Sequence, residues 1–387
     1  MLDITKLLSG EVEHHSMRYS QDCSDTKTGI RKGFGPVIAW NITQKCNYYC
    51  KHCYSNASCE EDVDTLNFGE ITKIIDDFEA NNVPVILLSG GEPLIRNDIF
   101  DIIRYIAGKK IRISLSTNGS LIDKSTAAAL KGMGISYVGI SIDGTREKND
   151  DFRGVSGAFD NTIKAIENCY HAGQKVGLRF TLQKNNYKDV PSILELMEEM
   201  KVDRICFYHL VPSGRGKDIT DQMLSNEETK EVIDYLYEYS KKMIAEKKNT
   251  KEILTVANHT DGPYIYQKVK KEDPYLAEKI LNMLIRNKGN RSGTAIANVD
   301  WNGTVYPDQF TRFLPIGNLK SNSFSTIWND NQSILWQLRN RNIFLEGRCS
   351  ACKWLSICNG NLRARAYHVH GDMWAPDPAC YLEDDEI

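Results

Sequence analysis

Seven of the eleven cysteines fall into two tight groups. Cys46, Cys50 and Cys53 lie in CNYYCKHCY, separated by three and then two residues. Cys349, Cys352 and Cys358 lie in CSACKWLSIC, and Cys380 follows in PDPACYL. The total is odd, and a 387-residue chain is unlike the short secreted proteins that rely on disulfide frameworks. Clustered thiols in a reducing compartment point to metal or cluster ligation. Three thiolates on one short loop can hold three irons of a cubane and leave the fourth without a protein ligand. That arrangement suits a cluster that binds and acts on a substrate, since clusters that only carry electrons mostly use four cysteines. Zinc is the alternative, with His52 or Cys59 as its fourth ligand. The second group supplies four thiolates, enough for a cubane or for a structural zinc. Cys23, Cys59, Cys169 and Cys206 stand outside both groups, and the apolar surroundings of Cys169 and Cys206 mark them as core residues.

The first group follows an apolar run, Val37 to Asn41, that reads as a strand. Further strands are expected at Val85 to Leu88, Ile111 to Ser116, Tyr137 to Ile142, Lys175 to Leu182 and Arg204 to His209. Between them lie helical patterns, among them Phe68 to Asn81, Ile99 to Ala107, Phe159 to His171 and Asp189 to Met200. Alternation of this kind predicts parallel βα units, here six, and an α/β fold built as a partial (βα)6 TIM-like barrel. A helix from Glu227 ends in the charged stretch AEKKNTKE. Near residue 290 the pattern changes to a hairpin turning at Asn302-Gly303, followed by a loop-rich cysteine segment. The expected organisation is an N-terminal arm (1–35), the barrel (36–250), a helical linker (251–289) and a small cysteine-rich C-terminal domain (290–387).

In parallel α/β folds, ligands gather at the carboxyl ends of the strands. Those ends carry Gly90-Gly91-Glu92-Pro93, Ser116-Thr117-Asn118-Gly119 and Ser141-Ile142-Asp143-Gly144, with Arg179 and Thr181 on the fifth strand. Each is also ordinary turn or helix-cap composition. Composition excludes other classes. A net charge of -3 gives no basis for nucleic-acid binding, and apolar runs such as Val83 to Leu88 are too short to span a bilayer. The N-terminus does not read as a secretory signal, so the expected location is cytoplasmic, with no membrane partner.

Taken in order, these motifs resemble the radical S-adenosylmethionine (SAM) superfamily, whose CxxxCxxC motif has an aromatic neighbour at the last cysteine, here Tyr54. The resemblance implies a [4Fe-4S] cluster on Cys46, Cys50 and Cys53 whose open iron chelates SAM. It further implies reductive cleavage of SAM to a 5′-deoxyadenosyl radical that takes hydrogen from a substrate. It assigns SAM contacts to Tyr54, Gly90, Gly91, Glu92, Pro93, Ser116, Asn118, Ser141, Asp143, Arg179 and Thr181, with Glu92 helping to hold the methionine ammonium and Arg179 its carboxylate. The second cysteine group resembles the C-terminal half of a SPASM domain and implies an auxiliary [4Fe-4S] cluster on Cys349, Cys352, Cys358 and Cys380. The hairpin lacks the further cysteines of the full pattern, so a single auxiliary cluster is expected. Asp308 stands where a cysteine would come; it could coordinate iron, but a hairpin-end carboxylate in solvent is the expectation.

Four stretches, GPVIAWNITQKCNYYCKHCY, YHLVPSGRG, NVDWNGTVYPDQF and CNGNLRARA through GDMWAPDPACYL, carry a closer resemblance over nearly the whole chain. It is to the radical SAM enzymes that remove tetrapyrrole side chains, of the AhbC (alternative haem) and NirJ (haem d1) types. This implies a didecarboxysiroheme-type substrate, losing two acetates in the first type and propionates in the second. It also implies an external electron donor such as ferredoxin or flavodoxin. A polycarboxylate calls for arginine forks, and Arg153 (in a Gly-flanked loop), Arg215, Arg363 and Arg365 are the candidates. His209, ending the sixth strand, could bind a propionate, donate a proton or approach the iron. His14 and His15 belong to the arm, which together with the C-terminal domain is expected to close the barrel mouth. Two other classes stay open: a peptide-modifying SPASM enzyme, for which the arm is short, and a non-enzymatic electron carrier or zinc-stabilised binding protein.

Overall fold

The computed structural model describes residues 1–11, 19, 28–60, 64–246, 251–330 and 333–387. His14, His15 and Cys23 lie outside the described residues. The chain opens with β1 (Leu2–Asp3) and α1 (Ile4–Ser9), where Asp3 caps the helix by accepting the Lys6 N–H at 3.0 Å. The barrel strands are β2 (Val37–Asn41), β3 (Val85–Ser89), β4 (Arg112–Thr117), β5 (Tyr137–Ser141), β6 (Val176–Leu182), β7 (Arg204–His209) and β8 (Glu252–Val256). Neighbours pair in parallel throughout. Both faces are covered, so the strands are nearly continuous apolar runs rather than alternating ones.

The helices between them are α2 (Phe68–Ala80), α3 (Ile99–Ala107), α4 (Lys124–Gly132), α5 (Arg146–Arg153), α6 (Ala158–His171), α7 (Val190–Glu199) and α8 (Asn226–Ala245). Their ends follow from local chemistry. Asn67 and Glu70 form a reciprocal capping box at α2, and Ser225 and Glu228 form another at α8. The buried stripe of α2, Ile71, Ile74, Ile75 and Phe78, has the spacing that turns one helix face to a core.

Two expectations change here. The segment read as a helical linker begins with a seventh parallel strand, β8, whose Ile253 and Leu254 are fully buried. Only then come α9 (Asp261–Glu272) and α10 (Pro274–Asn287). The arm does not reach the barrel mouth among its described residues. Instead β1 pairs antiparallel with the outer edge of β8, covering an otherwise open strand. Residues 28–35 pack near the start of β2, where Gly35 N–H donates to Asn82 O and Arg291 donates to the carbonyls of Gly29 and Ile30.

At the other edge the sheet runs on. β2 pairs in parallel with β9 (Ile296–Val299), which continues antiparallel through β10 (Thr304–Tyr306) to β11 (Gly317–Asn318). The hairpin is therefore an extension of the barrel sheet, eleven strands among the described residues. The remaining helices are α11 (Phe324–Trp328), α12 (Ile334–Arg339), α13 (Leu355–Cys358) and α14 (Arg363–His370).

Candidate active site

Cys46, Cys50 and Cys53 sit on the loop after β2 and line a single cavity at the carboxyl ends of the strands. The loop is fastened from three sides. Cys46 N–H donates to Ser58 O at 2.6 Å. Tyr49 and Lys51 N–H donate to Arg153 O and Phe152 O, at the end of α5, at 3.2 and 3.0 Å. Arg215, beyond β7, donates from Nε to Cys50 O (2.9 Å) and from Nη1 to Ala57 O (2.7 Å), with its guanidinium 4.0 Å from the Tyr49 ring centre. Burial pushes the Cys46 thiol up to about 12, so a thiolate there needs an electropositive partner.

The residues fit a cluster better than a zinc ion. Three thiols from one short loop share the cavity wall, and a cubane spreads such ligands over several irons. Of the proposed fourth zinc ligands, His52 alone lines this cavity. His52 stacks on Phe152, ring centres 4.6 Å apart, and burial pushes its ring down to about 4. Cys59 is exposed.

Gly90 and Gly91 share the cavity wall. Gly90 has φ 149°, and a Cβ there would lie 2.5 Å from Thr43 O; a Cβ on Gly91 would overlap the Lys45 carbonyl. Gly91 N–H donates to Thr43 O (2.7 Å) and Glu92 N–H to Lys45 O (2.9 Å), stitching this turn to the cysteine loop. Glu92 departs from its expected role. It is fully buried and faces inward, accepting from Thr117 Oγ1 (2.8 Å), Asn118 N–H (2.8 Å) and Leu94 N–H (3.2 Å). It holds the turn rather than lining the cavity, and burial raises its carboxyl to about 7. Pro93, also buried, starts the following short helical turn.

Ser116, Asn118, Ser141, Arg179 and Thr181 line the cavity as expected from their places at strand ends. Asn118 Nδ2 donates to Asn47 Oδ1 at 2.9 Å and lies 3.9 Å from Cys46 Sγ. Arg179 packs across Gly139 with its buried Nε unpartnered. Asp143 is instead a buried hub, accepting Thr181 N–H at 2.7 Å and forming an ion pair with Arg153. Arg153 is the last residue of α5, not part of a loop, and Nη1 lies 3.7 Å from Cys50 Sγ. Its guanidinium serves the cysteine loop and also lines the cavity, with Nε unpartnered.

Among the lining residues that escaped sequence reasoning, two come from beyond the parallel strands. Gln309 and Phe310, between β10 and β11, enter the cavity from the C-terminal region. Phe310 meets Tyr54 edge to face at 5.7 Å, and Tyr54 donates its hydroxyl to Asn41 Oδ1 at 2.8 Å. Asp308 builds this turn. It is 4% exposed, and its Oδ1 accepts the N–H groups of Phe310 and Thr311 at 2.8 and 2.9 Å, so it is not a solvent carboxylate. The signal that could have found Phe310 was the Asp-x-Phe-Thr turn chemistry itself.

Arg363 and Arg365 are also corrected. Arg363 is 1% exposed and spends its nitrogens on the carbonyls of Met373, Ala375 and Gly360. Arg365 is fully buried against Asp377 (2.9 and 3.1 Å) and Ala257 O (2.7 Å). Neither fork can meet a substrate. Arg215 lines the cavity with Nη2 alone unpartnered, and His209 lines it with Nε2 3.0 Å from Asp261 Oδ2.

Cys349, Cys352, Cys358 and Cys380 line a second cavity, beside Thr260 and Trp354. Burial pushes the Cys358 thiol up, as at Cys46. Four thiols around one apolar cavity suit a fully ligated cluster.

Comparison with known proteins agrees with this geometry. Residues 40–197 match the Radical SAM superfamily, and residues 291–353 match SPASM, an iron-sulfur cluster-binding domain. The chain is 45% identical to an Fe-coproporphyrin III synthase of Methanosarcina barkeri, over 100% of this chain and 99% of that protein. It is 36% identical to a pre-heme d1 synthase of Dinoroseobacter shibae, over 90% of this chain and 86% of that protein. Among solved structures, Streptococcus suis SuiB bound to its precursor peptide superposes with a TM-score of 0.72 at 19% identity, covering 90% of this chain and 76% of that one. The anSMEcpe structure with bound AdoMet gives 0.68 at 18%, covering 89% and 94%. At that identity the two structures speak for the fold alone.

Proposed function

Because this chain belongs to the radical SAM superfamily, in the branch with a C-terminal SPASM domain, we propose that it removes the two acetate side chains of didecarboxysiroheme to give Fe-coproporphyrin III. The observation that carries the reading is the 45% identity extending over the whole chain. Two [4Fe-4S] clusters and SAM are its cofactors. Cys46, Cys50 and Cys53 would hold the first cluster, which when bound would supply the one-electron reductive cleavage of SAM. The chain's own residues bind and orient. Gly90 and Gly91 bring bare backbone against SAM, and Ser116, Asn118, Ser141, Arg179 and Thr181 offer polar groups on the same wall. Tyr54 and Phe310 narrow the mouth against water, which a radical reaction must exclude. Arg215 Nη2, Arg153 Nε and His209 are groups on the cavity wall that would receive substrate carboxylates. A one-electron carrier such as ferredoxin or flavodoxin is the expected donor, in the cytoplasm. Among the described residues no helix is long and apolar enough to cross a membrane.

The 36% identity to a pre-heme d1 synthase supports a second reading, propionate removal from the same precursor. Anaerobic turnover with SAM, reductant and didecarboxysiroheme, followed by mass spectrometry, separates the two. Loss of two acetates is the expected result. Loss of propionates moves the protein to the second reading. SAM cleavage with an unchanged tetrapyrrole sinks both.

A further inference from the structure

His209 is held by more than its own strand. Its Nε2 lies 3.0 Å from Asp261 Oδ2, and Asp261 Oδ1 accepts the Tyr381 hydroxyl at 2.9 Å. Asp261 and Tyr381 are fully buried, and His209 is 7% exposed. Two bonds on opposite oxygens fix the carboxylate's rotation, and the carboxylate in turn fixes the imidazole. Asp261 is the first residue of α9, where the helix N-terminus favours a negative charge. Nε2–H is thereby directed inward, and Nδ1 has no partner among the described residues.

The loop carrying Asp261 is itself clasped by the C-terminal segment. Asn258 Nδ2 donates to Ala379 O (2.9 Å), Asn361 Nδ2 donates to Asn258 Oδ1 (2.7 Å), and His259 N–H donates to Asn361 Oδ1 (2.7 Å). Thr260 lines the cavity of the second cysteine group, and Tyr381 directly follows Cys380. A continuous run of bonded groups thus leads from that cavity to the SAM cavity. Arg365 is spent on Asp377 and Ala257 O.

We propose that Asp261 is a positioning residue of the substrate site: with Tyr381 it holds His209 so that Nδ1 shares a proton with a substrate carboxyl group. This rests on the tetrapyrrole reading above, and it gives the auxiliary domain a part in substrate binding. The test uses holoenzyme carrying Asp261→Asn or Tyr381→Phe. D261N removes the carboxylate charge that holds Nε2–H and lets the amide present either its oxygen or its N–H to the imidazole. The expected result for D261N is a rise of about tenfold in KM and in the dissociation constant from absorbance titration with didecarboxysiroheme. Its kcat, its iron content and its SAM cleavage without substrate stay near wild type. Y381F removes only one hydroxyl and is expected to raise KM by about threefold; it carries the test if D261N does not fold. Unchanged substrate binding in D261N, or in Y381F where that variant stands in, overturns the inference. So does a joint fall of kcat, iron and SAM cleavage, which marks a merely structural role. A wild-type enzyme that cleaves SAM yet neither binds nor alters the tetrapyrrole overturns the functional reading itself, a result distinct from either.

Discussion

Glu92 carries a buried carboxyl with no cation beside it, and its consequence can be read in pH. Burial raises it from 4.5 to about 7, against the pull of three hydrogen-bond donors. Between those values the folded chain keeps a proton that the unfolded chain releases. Stability therefore falls as pH rises through this window and is level above it, by at most roughly 3 kcal/mol. Glu92→Gln abolishes that slope. It also sets an amide N–H against the Asn118 N–H, which now donates at 2.8 Å. The variant should be less stable than wild type at every pH, with the larger deficit at pH 5.5 than at pH 8. Denaturant titrations at the two values check this, and equal deficits would show that Glu92 is not the titrating group. The family motif marked this residue, but motifs do not say which way a side chain points. The same limit explains Arg363 and Arg365, which look like carboxylate forks in sequence and are consumed by backbone carbonyls and Asp377 in the fold.

Elements were legible where a local rule sets them. Short apolar runs set between helical patterns located β2 to β7, and the 3.6-residue period located α2. β8 was missed because five residues directly after a charged run carry too little periodicity to separate strand from helix; partners on both sides, β7 and β1, decide it. The site depends on how elements are joined. Gly91 lies where the β3 turn meets the cysteine loop, so Gly91→Ala must push apart two bonded backbones. It should abolish SAM binding in anaerobic titration, and binding within a factor of about three of wild type would mean the loop can yield. The end of α5 meets the same loop. Asp143→Ala leaves the buried Arg153 guanidinium without its counter-charge, at a cost of about 3–5 kcal/mol. Because Arg153 and Phe152 hold the Tyr49 and Lys51 amides, the loss should appear as iron missing from the first cluster while the second remains. Spectroscopic counting of clusters after reconstitution would reveal it.

At the scale of the molecule, one sheet runs from β1 at the N-terminus to β11 in the SPASM region, yet the two cysteine groups are fastened separately. The first hangs on α5, Arg215 and the β3 turn. The second is closed by the C-terminal segment, through Trp354 Nε1 to Glu386 O (2.6 Å) and Arg348 to Leu382 O (2.5 Å). Removing one ligand from each group should therefore have different effects. Cys53→Ala takes a ligand from the first cluster, so SAM cleavage should fall to background while the auxiliary cluster survives. Cys380→Ala should lower iron from about eight to about four per chain and leave substrate-free SAM cleavage close to wild type. Product formation should nevertheless drop, because Cys380 directly precedes Tyr381, whose hydroxyl donates to the Asp261 carboxylate that holds His209. Parallel assays of 5′-deoxyadenosine and of the tetrapyrrole product distinguish the outcomes. Cleavage kept and product lost would place the coupling of the two halves in substrate binding. Loss of both from Cys380→Ala would instead mean that the eleven-stranded sheet folds as one cooperative unit, so that damage in the SPASM region reaches the first cluster through the β2–β9 pairing.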